Sequence, residues 1–402
     1  MELPRDPITA ATHADPYPYY ADLLARTPFY RDDALGMWVA TSAEAVAAVL
    51  TSAACGVRPP TEPIPQHLLG TTAAELFRQL IRMNDGAGRC PLRRAVVTTL
   101  AAVEPRQVAA RSALWARRLA DESGALTAPE RLSDFAFCLP VYVVASLLGV
   151  PDAQLPAVTV WVGAFVACLA PGSDAAQVAR GVAAADALRA TFRPLLGDGA
   201  DGPAVGLLAR FAREAGFAGH AGADAIVANG IGLLSQTYEA TAGLIGNTLV
   251  SLATRQALCA QALAAPDILP AIVREVLRCD PPIQNTRRFL MRDDQIMGQS
   301  LHEGDAILVV LAAANRDPAA NAAPARFAPF RADRQTFSFG AGGHACPGEE
   351  LAIAIASVGV AHLLASGLAP ARLHGTVGYR ASANARIPIF AAVPTIDRSS
   401  AI

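Results

Sequence analysis

The chain has 402 residues, a formal net charge of -2 and 33 basic side chains, every one of them arginine. Without lysine there is no P-loop lysine, no Schiff-base lysine for pyridoxal chemistry and no kinase strand lysine. The balanced charge also argues against a nucleic-acid-binding face.

A hydrophobic fraction of 52% raises the question of a membrane. The longest apolar stretches, near 138–151 and 158–171, are about 13 residues each, short of the roughly 20 a span needs, so buried core helices and no membrane span are expected. Segment 1–20 has neither a basic n-region nor an apolar h-region. Seven cysteines, an odd number without CxxC spacing, read as reduced thiols. A cytoplasmic location follows as an expectation.

In chain order, Met37-Trp38-Val39-Ala40 is a strand signal. Helices are predicted around 72–84, 90–121, 133–149, 155–169, 174–196, 223–264 and 267–279. From 281 to 345 the helical signal lapses, apart from a strand at Ala306–Val310. Ile387-Pro388-Ile389-Phe390 suits a terminal hairpin, with Pro388 confining it to an edge or a bulge. The expectation is a mainly α chain with minor β, one unit over 1–402. Its β-rich parts lie near 30–60, 280–310 and 375–395.

The most informative segment is Phe339-Gly340-Ala341-Gly342-Gly343-His344-Ala345-Cys346-Pro347-Gly348. Its glycines allow close approach to a flat partner. Pro347 suits the first position of a helix running to about Ala365. Cys346 would then sit at a helix N-terminus, which favours a thiolate, a strong electron donor to iron. A lone cysteine is ordinarily a small buried hydrophobe, and the glycine pattern argues otherwise here.

This decapeptide resembles the F-x-x-G-x-x-x-C-x-G segment of the cytochromes P450, haem-thiolate monooxygenases, and the resemblance extends over essentially the whole chain. It implies an α-helical prism with small sheets around a buried haem b, with Cys346 as the iron ligand. Phe339 and Gly348 would lie beside the sulfur, and His344 near a haem propionate. Glu275 and Arg278, i and i+3 on one helix face, resemble the family's E-x-x-R pair, with Arg331 as its third member. Arg288, in an R-x-x-x-x-D-x-x-x-x-G segment, and Arg93, in a D-x-x-x-H-x-x-x-R segment, would bind propionates. Arg89 stands where that helix usually carries histidine.

Gln236-Thr237-Tyr238-Glu239-Ala240-Thr241 through Asn247 is similar to the family's A-G-x-E-T-T-x-x-L-I-x-N helix. Glu239 matches the acid, but Ala240 replaces the alcohol that normally positions the water relaying protons to dioxygen. Thr241 is about 100° further round the helix. Three readings stay open: a substrate hydroxyl or ordered water substitutes, Gln236 or Thr237 takes over, or the enzyme uses peroxide or performs a less usual oxidation.

By the same resemblance the pocket wall comes from 57–72, 164–174, Leu233, Gln236, Thr237, Ala240, Ile283, Gln284, Asn285 and the turn at 385–387, with Arg386 a candidate anchor for a carboxylate. The implied activity is oxidation of a small organic substrate in a biosynthetic or catabolic step. Electrons would come from a separate ferredoxin or flavodoxin with its reductase, and Arg94 and Arg334 are candidate docking charges. The alternatives are haem-thiolate coupling, isomerisation or dehydration without oxygen insertion, and a non-catalytic haem-binding sensor.

Overall fold

The computed structural model describes residues 3–85, 89–197, 206–219, 222–373, 375 and 377–391. The first helices are α1 (Tyr17–Arg26), α2 (Ala43–Thr51), α3 (Thr72–Gln79), α4 (Arg89–Ala101) and α5 (Pro105–Ser123). They are followed by α6 (Leu132–Leu148), α7 (Leu155–Cys168), α8 (Ala175–Phe192), α9 (Leu207–Phe217) and α10 (Ala223–Ala253). The last are α11 (Gln256–Ala264), α12 (Leu269–Cys279), the short α13 (Leu311–Ala314) and α14 (Glu349–Ala365).

Local chemistry sets several boundaries. Ser42 and Thr71 cap α2 and α3 by accepting from the backbone N–H three residues on, and Asp174 with Gln177 forms a capping box at α8. The predicted helix 90–121 is two helices, because Pro105 lacks an N–H and opens a new one. The predicted 223–264 also divides. Thr254 Oγ1 bonds the Val250 and Ser251 carbonyls at the end of α10, and α11 starts after Arg255. Helices α1, α2 and α9 lie outside the predicted segments.

The strands are β1 (Phe29–Asp32), β2 (Met37–Ala40), β3 (Cys55–Gly56), β4 (Thr286–Leu290), β5 (Asp294–Ile296), β6 (Gln299–Leu301), β7 (Ala306–Val309), β8 (Val377–Tyr379) and β9 (Pro388–Phe390). Five form one sheet in the order β1-β2-β7-β4-β3, in which only β2 and β7 run parallel. The pairs β5-β6 and β8-β9 are antiparallel, with Pro388 at the first position of β9. The molecule is mainly helical with small sheets.

Helix α10 is the axis of the helical part, packed by α3, α6, α7, α8, α9, α12 and α14. The apolar stretch Pro129–Leu148, which contains α6, is long and apolar enough to cross a membrane, longer than the run read from sequence. Of its most apolar window 67% is buried inside the protein, as in a core helix.

Candidate functional site

The cysteine loop is held from behind. Gly340 and Gly342 have φ of +71° and +64°, which side chains resist, and a Cβ on Gly342 would lie 3.0 Å from the Leu50 carbonyl. Cys346 N–H donates to Phe339 O at 2.8 Å, and Gly348 N–H points at Cys346 Sγ at 3.4 Å. Phe339 packs on the helical core. Gly348 caps α14, so Pro347 precedes the helix rather than opening it, in a turn that aims the Gly348 N–H at sulfur.

Cys346 is accessible to solvent, yet burial raises its thiol pKa, and Glu349 adds to the rise. The Gly348 N–H and Arg93 oppose it without prevailing. Without a metal at the sulfur, burial outweighs the Gly348 N–H.

Behind the loop, Glu275 and Arg278 are fully buried and paired at 2.7 Å, and Arg331 Nε lies 3.4 Å from the same carboxylate. Sequence reasoning missed a fourth member. Arg334 Nε donates to Glu275 Oε2 at 3.0 Å and its side chain is mostly buried, so it is no docking charge. The R-x-x-R spacing with Arg331 was the available signal. Arg94 is exposed. Asn315, in the Asn315-Arg316-Asp317-Pro318 segment that also resembles the family, joins α12 to the loop: its Nδ2 donates to Leu277 O at 3.1 Å, and its Oδ1 accepts from Phe337 N–H at 2.6 Å.

Basic groups surround the loop. Arg93 Nε and Nη2 donate to the carbonyls of Gly343 and Ala345 at 2.7 and 3.1 Å, clamping α4 to the loop. His344 Nε2 pairs with Asp85 at 2.8 Å, and Val57 N–H donates to the other oxygen of Asp85. Arg288 is buried on β4, with Nη1 on the Arg287 carbonyl. The side chain of Arg89 lies outside the described residues.

Helix α10 is buried nearly throughout, yet Leu233, Gln236, Thr237 and Ala240 are accessible in its middle. Their i, i+3, i+4, i+7 spacing is one helical stripe. The helix is regular here, so Thr241 turns into packed protein and is 2% exposed. Gln236 Nε2 donates to Gly232 O at 2.9 Å. Glu239 is partly accessible, and burial lifts its pKa above the ordinary carboxylate value. Arg380, whose Nη1 is 3.8 Å away, opposes that rise.

The segment 79–85 joins stripe to loop. Leu80 Cδ2 would lie 2.8 Å from a Cβ on Gly232, and Ile81 N–H donates to Asn229 Oδ1 at 2.8 Å, both on α10. Asp85, at the other end, holds His344. Five residues span at most about 18 Å, so stripe and cysteine loop border one region.

Three pocket expectations are corrected. Arg386 is 2% exposed. Its Nε donates to Asp280 Oδ1 at 2.7 Å, its Nη atoms to the carbonyls of His13 and Ala14, and its guanidinium stacks on Tyr379. All three of its nitrogens are bonded to protein and the side chain is buried, so it is a structural tie rather than an anchor for substrate. Gln284 is fully buried with Nε2 on Pro281 O, closing a turn, and Asn285 is buried with Nδ2 on Ala383 O, tying the start of β4 to a segment near the far end of the chain. Ile283 is partly accessible and bridges Ala385. Segments 57–72 and 164–174 do meet, where His67, Thr71, Ser173 and Asp186 line an open cleft of about 760 Å³.

Comparison with known proteins agrees with this geometry. The cytochrome P450 family model matches residues 216–366. The mycinamicin IV hydroxylase/epoxidase of Micromonospora griseorubida is 30% identical over 330 residues, 81% of this chain and 80% of that protein. The biotin biosynthesis cytochrome P450 of Bacillus subtilis is 26% identical over 358 residues, 87% of this chain and 88% of that protein. Among solved structures, CalO2 superposes with a TM-score of 0.80 at 26% identity, over 97% of this chain and 98% of that one.

Proposed function

Because the chain belongs to the cytochrome P450 family, we propose that this monooxygenase holds haem b through Cys346 and hydroxylates or epoxidises a small organic substrate in a biosynthetic tailoring step. The observation that carries the reading is the accessible stripe of α10 bordering the same region as the accessible Cys346 thiol. The donor set fits a haem-thiolate centre. One thiol receives a backbone N–H from Gly348, side-chain-free glycines precede it, and Arg93, Arg288 and His344 stand around it for the haem carboxylates. When bound, haem supplies the iron that activates dioxygen.

The chain's own residues set the rest. Glu239, held near Arg380, is the acid available to hand protons toward the region in front of Ala240. Ala240 has no hydroxyl, Thr241 faces away, and Gln236 is tied back to Gly232 through one of its two amide donors. A substrate hydroxyl or an ordered water beside Gln236 and Thr237 completes the relay. Leu233 and Thr237 face the substrate beside them. Electrons arrive from a ferredoxin or flavodoxin, with exposed Arg94 among its contacts, in the cytoplasm. The names of the relatives, a mycinamicin IV hydroxylase/epoxidase and a biotin biosynthesis cytochrome P450, support a biosynthetic role.

The test has two parts. The reduced protein with carbon monoxide must show a thiolate-type Soret band, and a histidine-like band sinks the haem assignment. Product formed under isotopic dioxygen must gain one labelled oxygen atom; unlabelled product points instead to isomerisation or coupling.

A further inference from the structure

Two arginines between the α10 stripe and the cysteine loop, Arg58 buried and Arg82 half-buried, each carry a buried Nε without a partner. Arg58, just after β3, is 8% exposed. Its Nη2 donates to Phe77 O at 3.1 Å and its plane stacks 4.2 Å over the Phe77 ring, but its buried Nε has no partner. Arg82 lies on segment 79–85. Its Nε is buried and unpaired, and it makes no hydrogen bond or salt bridge with the described residues.

Burial pushes the Arg58 pKa down to about 10, with Arg82 and Arg78 adding to the fall and Asp85 opposing it; burial lowers Arg82 as well. An arginine keeps its charge at neutral pH. Asp85 offsets part of this burial at Arg58 without cancelling it, and its oxygens also take the Val57 N–H and His344. An unmatched buried charge costs several kcal/mol, and a carboxylate matches the planar guanidinium fork.

We propose that Arg82 and Arg58 form the anion-binding end of the substrate pocket and that the substrate carries a carboxylate. The inference rests on the monooxygenase reading above. Position favours substrate over a haem carboxylate. Arg82 is two residues from Leu80, which touches α10 at Gly232, one turn before Gln236. Arg93 and His344 are the basic groups bonded at the loop itself. The anchor sought in Arg386 is thereby relocated.

The experiment is spectral titration of the holoenzyme with decanoic, 4-phenylbutyric and 2-naphthylacetic acids, each against its methyl ester. At least one acid should bind at least ten-fold tighter than its ester. Arg82→Gln should abolish that preference without changing ester affinity, and Arg82→Lys should restore part of it. The wild-type comparison needs no variant. Equal binding of acids and esters, no binding by any acid, or a preference that survives Arg82→Gln overturns the proposal. Haem transfer to apomyoglobin is measured alongside. Faster haem loss from Arg82→Gln with an unchanged acid preference assigns the pair to the haem carboxylates and overturns it too. A thiolate-type carbon monoxide band in these same samples separates failure of this inference from failure of the monooxygenase reading.

Discussion

Glu275→Gln tests how the cysteine loop is held. The carboxylate is fully buried. It accepts from Arg278 Nη2 at 2.7 Å, the Ala328 N–H at 2.9 Å and Arg334 Nε at 3.0 Å, with Arg331 Nε at 3.4 Å. An amide keeps one acceptor oxygen, turns an NH2 toward a guanidinium and leaves three arginines without a counter-charge. Removing one partner of a buried ion pair costs about 3–5 kcal/mol. Because Arg331 and Arg334 are slightly exposed and partly bonded to carbonyls, the middle of that range is expected. Denaturant unfolding at neutral pH, followed by far-ultraviolet dichroism and by the Soret band, measures it. Burial would raise the pKa of Glu275, but the bonds from Arg278, Ala328 and Arg334 hold it below its ordinary value. The folded pKa is thus depressed, so its contribution is present above the unfolded value near 4.3 and is lost as pH falls through the folded value. The gap between wild type and variant must close in acid. A loss below about 1 kcal/mol at neutral pH, the size of a surface pair, refutes the reasoning.

Further outcomes are expected. Ala240→Thr should change the ratio of product to electrons consumed, and unchanged coupling counts against relay by substrate or water. Arg380→Gln removes the charge that opposes the burial of Glu239, so its pKa rises further; the acid limb of the turnover profile should move to higher pH, and a stationary limb removes Glu239 from the relay. Arg386→Met leaves Asp280 facing Tyr17 in a buried cluster and should cost about 3 kcal/mol by urea unfolding, while the acid-over-ester preference persists. Cys346→Ser should keep the far-ultraviolet spectrum and lose the thiolate-type carbon monoxide band; retention of that band denies Cys346 its role.

What could be read in advance was local. The glycine-cysteine loop and the Glu275–Arg278 pair lie within a few residues of chain, and the positions 233, 236, 237 and 240 came from the family resemblance of one continuous helix. Arg334 escaped because only the return of segment 326–334 over α12 brings it to Glu275. Arg386 was misplaced because its partners are 106 and more than 370 residues away. Gln284 and Asn285 offer amides that suit a pocket and a structural tie equally, and burial decided for the tie. Arg82 falls within the predicted helix 72–84, but α3 ends at Gln79, so helical spacing did not show where its side chain lies. Pro105 was a legible break that helical composition overrode.

The seating of the N-terminal segment bears on how the protein is made. His13 and Ala14 accept from Arg386, Tyr17 O–H bonds Asp280, and Arg316 stacks on Tyr17, so this segment is covered by residues synthesised hundreds of positions later. At about 5–20 residues per second, translation takes on the order of 20–80 s before Arg386 is available. For that interval the aromatic run at Tyr17–Tyr20 has no native cover and is open to chaperone or protease. Seating of this segment therefore waits for the residues around Asp280, Arg316 and Arg386. A fusion or tag that disturbs either end should lower the yield of folded protein before it touches any chemistry.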